Sequence, residues 1–136
     1  MMRALPLLAI IAGPVSIASR DPTAAALESC LDLPAQASTA GQTDCESQAT
    51  QSYDRRMNFA YRALLKILPA ASAQRLRVAQ RSWLSFRTAD RAARFALFES
   101  RQGTMYVPMH AHAETEVVRD RALQLESYLR VMRIEG

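Results

Sequence analysis

The sequence predicts an all-α fold, a small antiparallel three-helix bundle with a disulfide-closed N-terminal segment. Three observations lead there. Residues 76–97, LRVAQRSWLSFRTADRAARFAL, run without Gly or Pro and carry the only tryptophan, Trp83. Three segments repeat apolar residues at spacings of three and four, as helices with one buried stripe do. The connections between those segments are short, which makes sequential helices antiparallel neighbours. At 136 residues the chain is one domain with one core.

The chain opens on Met1-Met2-Arg3 and an apolar run from Ala4 to Gly13, followed by Ser16-Ile17-Ala18. This is the pattern of a signal peptide, residues 1–18, with cleavage after Ala18 and a mature domain over 19–136. Pro6, Gly13 and Pro14 interrupt the run, which falls short of the roughly 20 residues a membrane span requires. Glu28 next to Ser29-Cys30 is wrong for a lipoprotein signal. The expected location is therefore periplasmic or secreted, with no membrane span.

Thr23 to Cys30 fits one short helix with Thr23 as cap, and Pro34 to Gly41 reads as a loop. Cys30 and Cys45 flank that loop and are the only cysteines. In an exported chain two such cysteines pair as a disulfide. A metal or thiol-redox pair is disfavoured, because the two are far apart and form no CxxC.

The first long helix is expected to be capped by Thr43 or Asp44. Its stripe is Ala49, Tyr53, Met57, Ala60, Tyr61, Leu64, Leu65 and Leu68, with Arg55, Arg62 and Lys66 opposite and Asp54 and Asn58 at the border. Pro69 ends it, and Ser72 is the expected cap of the next helix. There Leu76, Ala79, Trp83, Phe86 and Leu97 share one face, and Gln80, Arg87 and Asp90 fall on the same face. Buried polar groups cost several kcal/mol unless partnered, so Gln80, Arg87 and Asp90 read as a structural polar set around Trp83. Glu99 to Pro108 reads as a loop, with Gly103 in a backbone conformation closed to other residues. The last helix is expected over about Ala113 to Arg133, with Val118, Ala122, Leu125, Leu129 and Met132 as its stripe. Arg121 lies on that stripe, with Asp90 and Asp54 as candidate counter-ions. Leu123 and Ile134 point the other way.

The string Leu-Arg-x-Ala-Gln-Arg-x-Trp-x-x-Phe-Arg, from Leu76 to Arg87, resembles the LprI-type lysozyme inhibitors, small helical domains of the bacterial cell envelope. Further landmarks follow in the family's order: Cys30 and Cys45, Tyr61 before a Leu-Pro break, Gly103-Thr-Met-Tyr-x-Pro, and Arg119-Asp-Arg121-x-x-x-Leu125. The resemblance spans roughly residues 28–130 and marks Asp54 and Tyr61 as family positions. It implies a protein partner, with a lysozyme the first candidate, and no enzymatic activity. Many members carry two further cysteines, at positions matching about Arg91 and Ala113 here, and both are absent. Thr88 stands where an aspartate is usual.

Composition narrows the alternatives. The 17 basic and 13 acidic residues give a formal charge of +4, and every basic residue but Lys66 is arginine. The arginines are spread over three amphipathic segments rather than concentrated beside aromatics, which argues against nucleic acid as a partner. His110, His112, Glu114 and Glu116 invite a metal reading. At a helix start, however, acidic residues are explained by the helix dipole, so no metal or cofactor is expected. No nucleophile, phosphate-cradling or dinucleotide motif appears, and no catalytic residue can be named. On exposure and chemistry, Arg101, Met105 and Tyr106 of the Gly103 loop are the expected partner-binding residues. The competing reading is a structural or envelope-stress protein with an unknown protein partner.

Overall fold

The structure, a computed structural model, describes residues 21–134. The expected signal peptide lies outside these residues. Four α-helices and no strands make up the described chain: α1 (Pro22–Leu31), α2 (Thr39–Ile67), α3 (Ala70–Glu99) and α4 (Tyr106–Met132). This corrects the expectation of three helices. The N-terminal segment forms a fourth, packed along α2, and a 3-10 turn at Pro34–Gln36 joins the two. None of these helices is long and apolar enough to cross a membrane.

The cross-helix contacts give the directions. Glu46 meets His112, Thr50 meets Thr115 and Arg56 meets Glu126, so α2 and α4 run parallel. Met57 meets Gln80 and Asp54 meets Arg87, which makes α3 antiparallel to both. The α2–α4 pair is the body of the protein, and α3 packs far more lightly than either. Between them lie Tyr53, Met57, Ala60, Leu64, Val118, Ala122, Leu125 and Leu129, all buried. Each large apolar side chain buried there stabilises by roughly 1.5–3 kcal/mol.

Local chemistry sets the helix ends, and several differ from the sequence reading. Asp21, not Thr23, caps α1: its side chain accepts from the Thr23 amide at 3.0 Å, with Pro22 in the first helical position. Ser38 caps α2 by accepting from Gly41 N at 3.0 Å. Gly41 is therefore inside the helix, where a Cβ would sit 2.7 Å from the Gln36 Cα. Leu68, preceding Pro69, is extended, and the chain turns into α3 at Ala70 without a side-chain cap. The last helix starts at Tyr106, seven residues early, because Pro108 in the first turn removes only an amide that would have no helical acceptor.

The largest correction concerns α3. Leu76 and Trp83 do pack against the core. Ala79, Phe86 and Leu97 are instead exposed, Phe86 by 55% and Leu97 by 68%. The face turned toward α2 and α4 is Ala73, Leu76, Gln80, Trp83, Arg87, Asp90, Arg94 and Phe98, which includes the polar residues. Partner groups on α4 decide this rotation, and the apolar pattern of α3 alone does not contain them.

Cys30 and Cys45 form a disulfide that fastens α1 to the first turns of α2. The sequence separation of 15 corresponds to about 3 kcal/mol in the chain-entropy account. Replacing both cysteines by serine should lower the unfolding free energy by about that amount in urea melts, with the helical circular-dichroism signal retained.

Candidate functional site

Two polar clusters hold the helices in register. Glu114 of α4, 8% exposed, is the centre of the first. Its Oε1 accepts from Arg87 Nε at 2.8 Å and its Oε2 from Arg94 Nη2 at 2.6 Å. Arg94 also donates to Asp90 at 2.6 Å, and Arg87 reaches Asp54 at 3.3 Å. Burial raises the Glu114 carboxyl, but the hydrogen bonds from Arg94 and then Arg87 outweigh it and hold the group below its ordinary range. Asp90 thus serves Arg94 one turn along, not Arg87.

Among the described residues Arg121 meets no carboxylate, which corrects its pairing with Asp90 or Asp54. Its Nε donates to the buried Gln80 Oε1 at 3.0 Å, its guanidinium lies 5.9 Å from the Trp83 ring centroid, and its Nη2 is buried without a partner. Burial accordingly pulls its pKa down. Gln80 completes the link by donating to the Met57 sulfur at 3.7 Å.

The second cluster was not anticipated. Arg56 donates twice to Glu126, at 2.7 and 2.8 Å, and also to Asp21 and Thr23. Tyr53 Oη donates to Asp21 at 2.8 Å. One arginine therefore ties the start of α1 to α2 and α4. Burial, then the hydrogen bond to Asp21, pushes the Tyr53 phenol up to about 12. Burial raises the Asp21 carboxyl, while its bonds from Tyr53 and Arg56 bring it down on balance. Arg56 lies within about 60° of Tyr53 on a helical wheel, which was the available signal.

The α3–α4 tip carries an apolar hollow. Gly103 turns the chain with φ +125°, and the amides of Tyr106 and Val107 close the turn onto the carbonyls of Gly103 and Thr104. Phe95, Phe98, Arg101, Tyr106, Val107 and His110 line a hollow of about 330 Å³. His110 stands edge-on to Phe95 and Phe98, with ring centroids 5.8 Å away in each case. Met105 (59%) and Val107 (56%) are exposed beside it, Arg101 is exposed, and Tyr106 is half-buried. Of the residues weighed as metal ligands, His112 pairs with buried Glu46, Glu114 with Arg87 and Arg94, and Glu116 with Arg119. Each carboxylate is already engaged.

A family model for the lysozyme inhibitor LprI matches residues 30–125. The chain belongs to the LprI family. No curated protein matches it. Among solved structures, a crystal structure of an uncharacterised protein from Burkholderia thailandensis is similar to it, with a TM-score of 0.80 and 34% identity. That match covers 85% of this chain and 57% of the other. The LprI landmarks fall on the polar seam: Gln80, Trp83 and Arg87 from the α3 motif, Arg121 from α4. The positions matching the family's absent cysteines, about Arg91 and Ala113, lie on α3 and α4. Arg91 shares a hollow with His110, Ala111 and Glu114.

The two arginines should respond differently to replacement. Arg94→Met strips the buried Glu114 and Asp90 of a shared cation and should cost about 3 kcal/mol in thermal melts. Arg121→Met relieves an unpartnered buried group while stranding Gln80, and should change stability by less than about 1 kcal/mol. Equal losses would contradict this division.

The pH dependence follows from the same groups. Asp21 and Glu114 are depressed below their ordinary values of 3.8 and 4.5, so their stabilisation is complete above those values and disappears as pH falls through the folded values. Tyr53 is raised from 10.0 to about 12, so its contribution is complete below pH 10 and lost between 10 and 12. An ultraviolet titration of wild type against Tyr53→Phe should show the missing phenol ionising near pH 12.

Proposed function

We propose that this LprI-family domain is an exported, non-enzymatic inhibitor that binds a lysozyme through its α3–α4 tip. One observation carries the reading: exposed Met105 and Val107 and an arginine, Arg101, sit around an apolar hollow at the end of a two-helix hairpin. Loops carried on a rigid scaffold are where binding groups concentrate. A lysozyme cleft contains paired carboxylates. An arginine suits such a target because its fork of donors matches a carboxylate, while Tyr and Met supply contact area.

Charge shapes the kinetics of this encounter. The full sequence carries +4, or +3 once Arg3 leaves with the signal peptide, and a basic lysozyme would be repelled at long range, most strongly at low salt. Inhibition of a basic lysozyme should therefore set in faster as salt rises toward physiological strength, the reverse of ordinary electrostatic steering.

A cell-wall lysis assay with lysozymes of several types tests the proposal. Wild type should inhibit at least one of them at micromolar protein. Arg101→Ala/Tyr106→Ala should weaken that inhibition on the order of tenfold or more, while Arg101→Ala alone leaves the melting temperature unchanged. No inhibition of any lysozyme would overturn the reading in favour of an envelope protein with a different partner.

A further inference from the structure

The stripe that α2 turns toward α3 changes chemistry half-way along. Read back from the end of the helix it is Leu68, Tyr61, Asp54, Thr50, Ser47 and Thr43, spaced by seven, four and three. Leu68 and Tyr61 pack with Leu76 of α3 against the core. The other half is one carboxylate and three hydroxyls. The facing side of α3 changes in step. Ala73 and Arg91 are eighteen residues apart, which is five full turns, so they share one angular position. Ala73 is buried, whereas Arg91 is exposed. Apolar contact thus closes the α2–α3 seam at one end. At the other end the two helices bound a groove with α4 beneath, since each packs on α4 more than on the other.

The groove holds about 300 Å³, the lower end of the range for a small-ligand site. Thr43, Ser47 and Thr50 line it from α2, Arg87 and Arg91 from α3, and Glu114 from α4. These groups are unequally occupied. Both Glu114 oxygens accept from arginines, Arg87 and Arg94, so that charge is already met. Thr50 shares a hydrogen bond with Thr115. Arg87 and Arg94 take up Asp54, Asp90 and Glu114, and Arg91 enters no ion pair or hydrogen bond among the described residues. The Ser47 hydroxyl is exposed and likewise unbonded among them. Thr43 spends its hydroxyl hydrogen on the Thr39 carbonyl at 2.7 Å, which leaves its oxygen as an acceptor.

The free groups describe a complementary ligand. A guanidinium suits a carboxylate, and a hydroxyl donor adds to it. A free acceptor in the same groove calls for a ligand that also donates, as a sugar hydroxyl does. Arg91 lines a second hollow with exposed Phe95, whose ring offers apolar surface to the C–H face of a sugar.

We propose that the α2–α3 groove binds a sugar bearing a carboxylate, with Arg91 holding the carboxylate and Ser47 and Thr43 bonding the polar groups of the ring. The site uses neither Arg101 nor Tyr106 and does not depend on what the tip binds.

N-acetylmuramic acid and N-acetylglucosamine share one ring and differ by a lactyl carboxylate, so the pair isolates the contact with Arg91. Each is titrated into the mature protein and followed by the NMR shifts of backbone amides. The acid should shift amides around Ser47 and Arg91 and bind on the order of tenfold more tightly than the neutral sugar. Arg91→Gln, at an exposed position, should abolish that preference at an unchanged melting temperature. Ser47→Ala should weaken the binding of both sugars. Acetate, the carboxylate without the ring, should bind more weakly than the sugar acid. Equal affinity for the two sugars, an Arg91→Gln protein that keeps the preference, or acetate as tight as the sugar acid would overturn the proposal. So would tighter binding of acetyl-D-alanyl-D-alanine in the groove, which would assign it to a peptide carboxylate instead.

Discussion

Glu114 is the group on which the placement of α3 depends. It is a nearly buried carboxylate on α4, and it accepts one guanidinium on each oxygen. An ionised carboxylate in that position would cost several kcal/mol without such partners. Arg87 and Arg94 both come from α3, seven residues apart, so satisfying Glu114 fixes the rotation of that helix. Once the rotation is fixed, Gln80 is placed against Met57 and Arg121, and Trp83 is placed beneath two guanidinium groups. The lightly packed helix is thus positioned by polar contacts, and the α2–α4 body by apolar ones.

This explains what was legible in the sequence. The α2 and α4 stripes were readable because apolar burial alone orients those helices: Ala49, Tyr53, Met57, Ala60 and Leu64 are all buried, as are Val118, Ala122, Leu125 and Leu129. On α3 the same rule chose a face rotated away from the true one. Phe86 and Leu97 carry a strong apolar signal, and Arg87 and Arg94 outweigh it only because Glu114 stands opposite. A pairing between residues 27 and 20 positions apart leaves no local mark. The Asp21–Arg56–Glu126 connection was missed for the same reason, spanning 35 and 70 positions. Arg121 failed differently: its place on the stripe was readable, but an amide partner from Gln80 in place of a carboxylate was not.

The helix starts show a second limit of local reading. Pro108 and Gly41 are breakers by composition, yet both lie within a first turn. There the missing amide of proline costs nothing, and glycine is required by the close approach of Gln36. The candidate tip was legible in residue type, through Arg101, Met105 and Tyr106. Its hollow was not, because Phe95, Phe98 and His110 reach it from two helices that local periodicity treats separately.

The way the tip is held also separates this chain from relatives that carry two more cysteines near Arg91 and Ala113. A disulfide between such positions would clamp α3 to α4 at any pH. Here the corresponding stretch is joined by Arg87, Arg94 and Glu114, and that joint exists only while Glu114 is ionised. The hydrogen bonds that hold Glu114 below its ordinary range keep it ionised at neutral pH, and their stabilisation is lost only in acid. The absence of the cysteines therefore makes the order of the hairpin conditional on charge, a condition that neutral pH satisfies. A contact surface at the end of two helices gains little from covalent closure if an ion-paired carboxylate a few turns below already fixes their relative rotation.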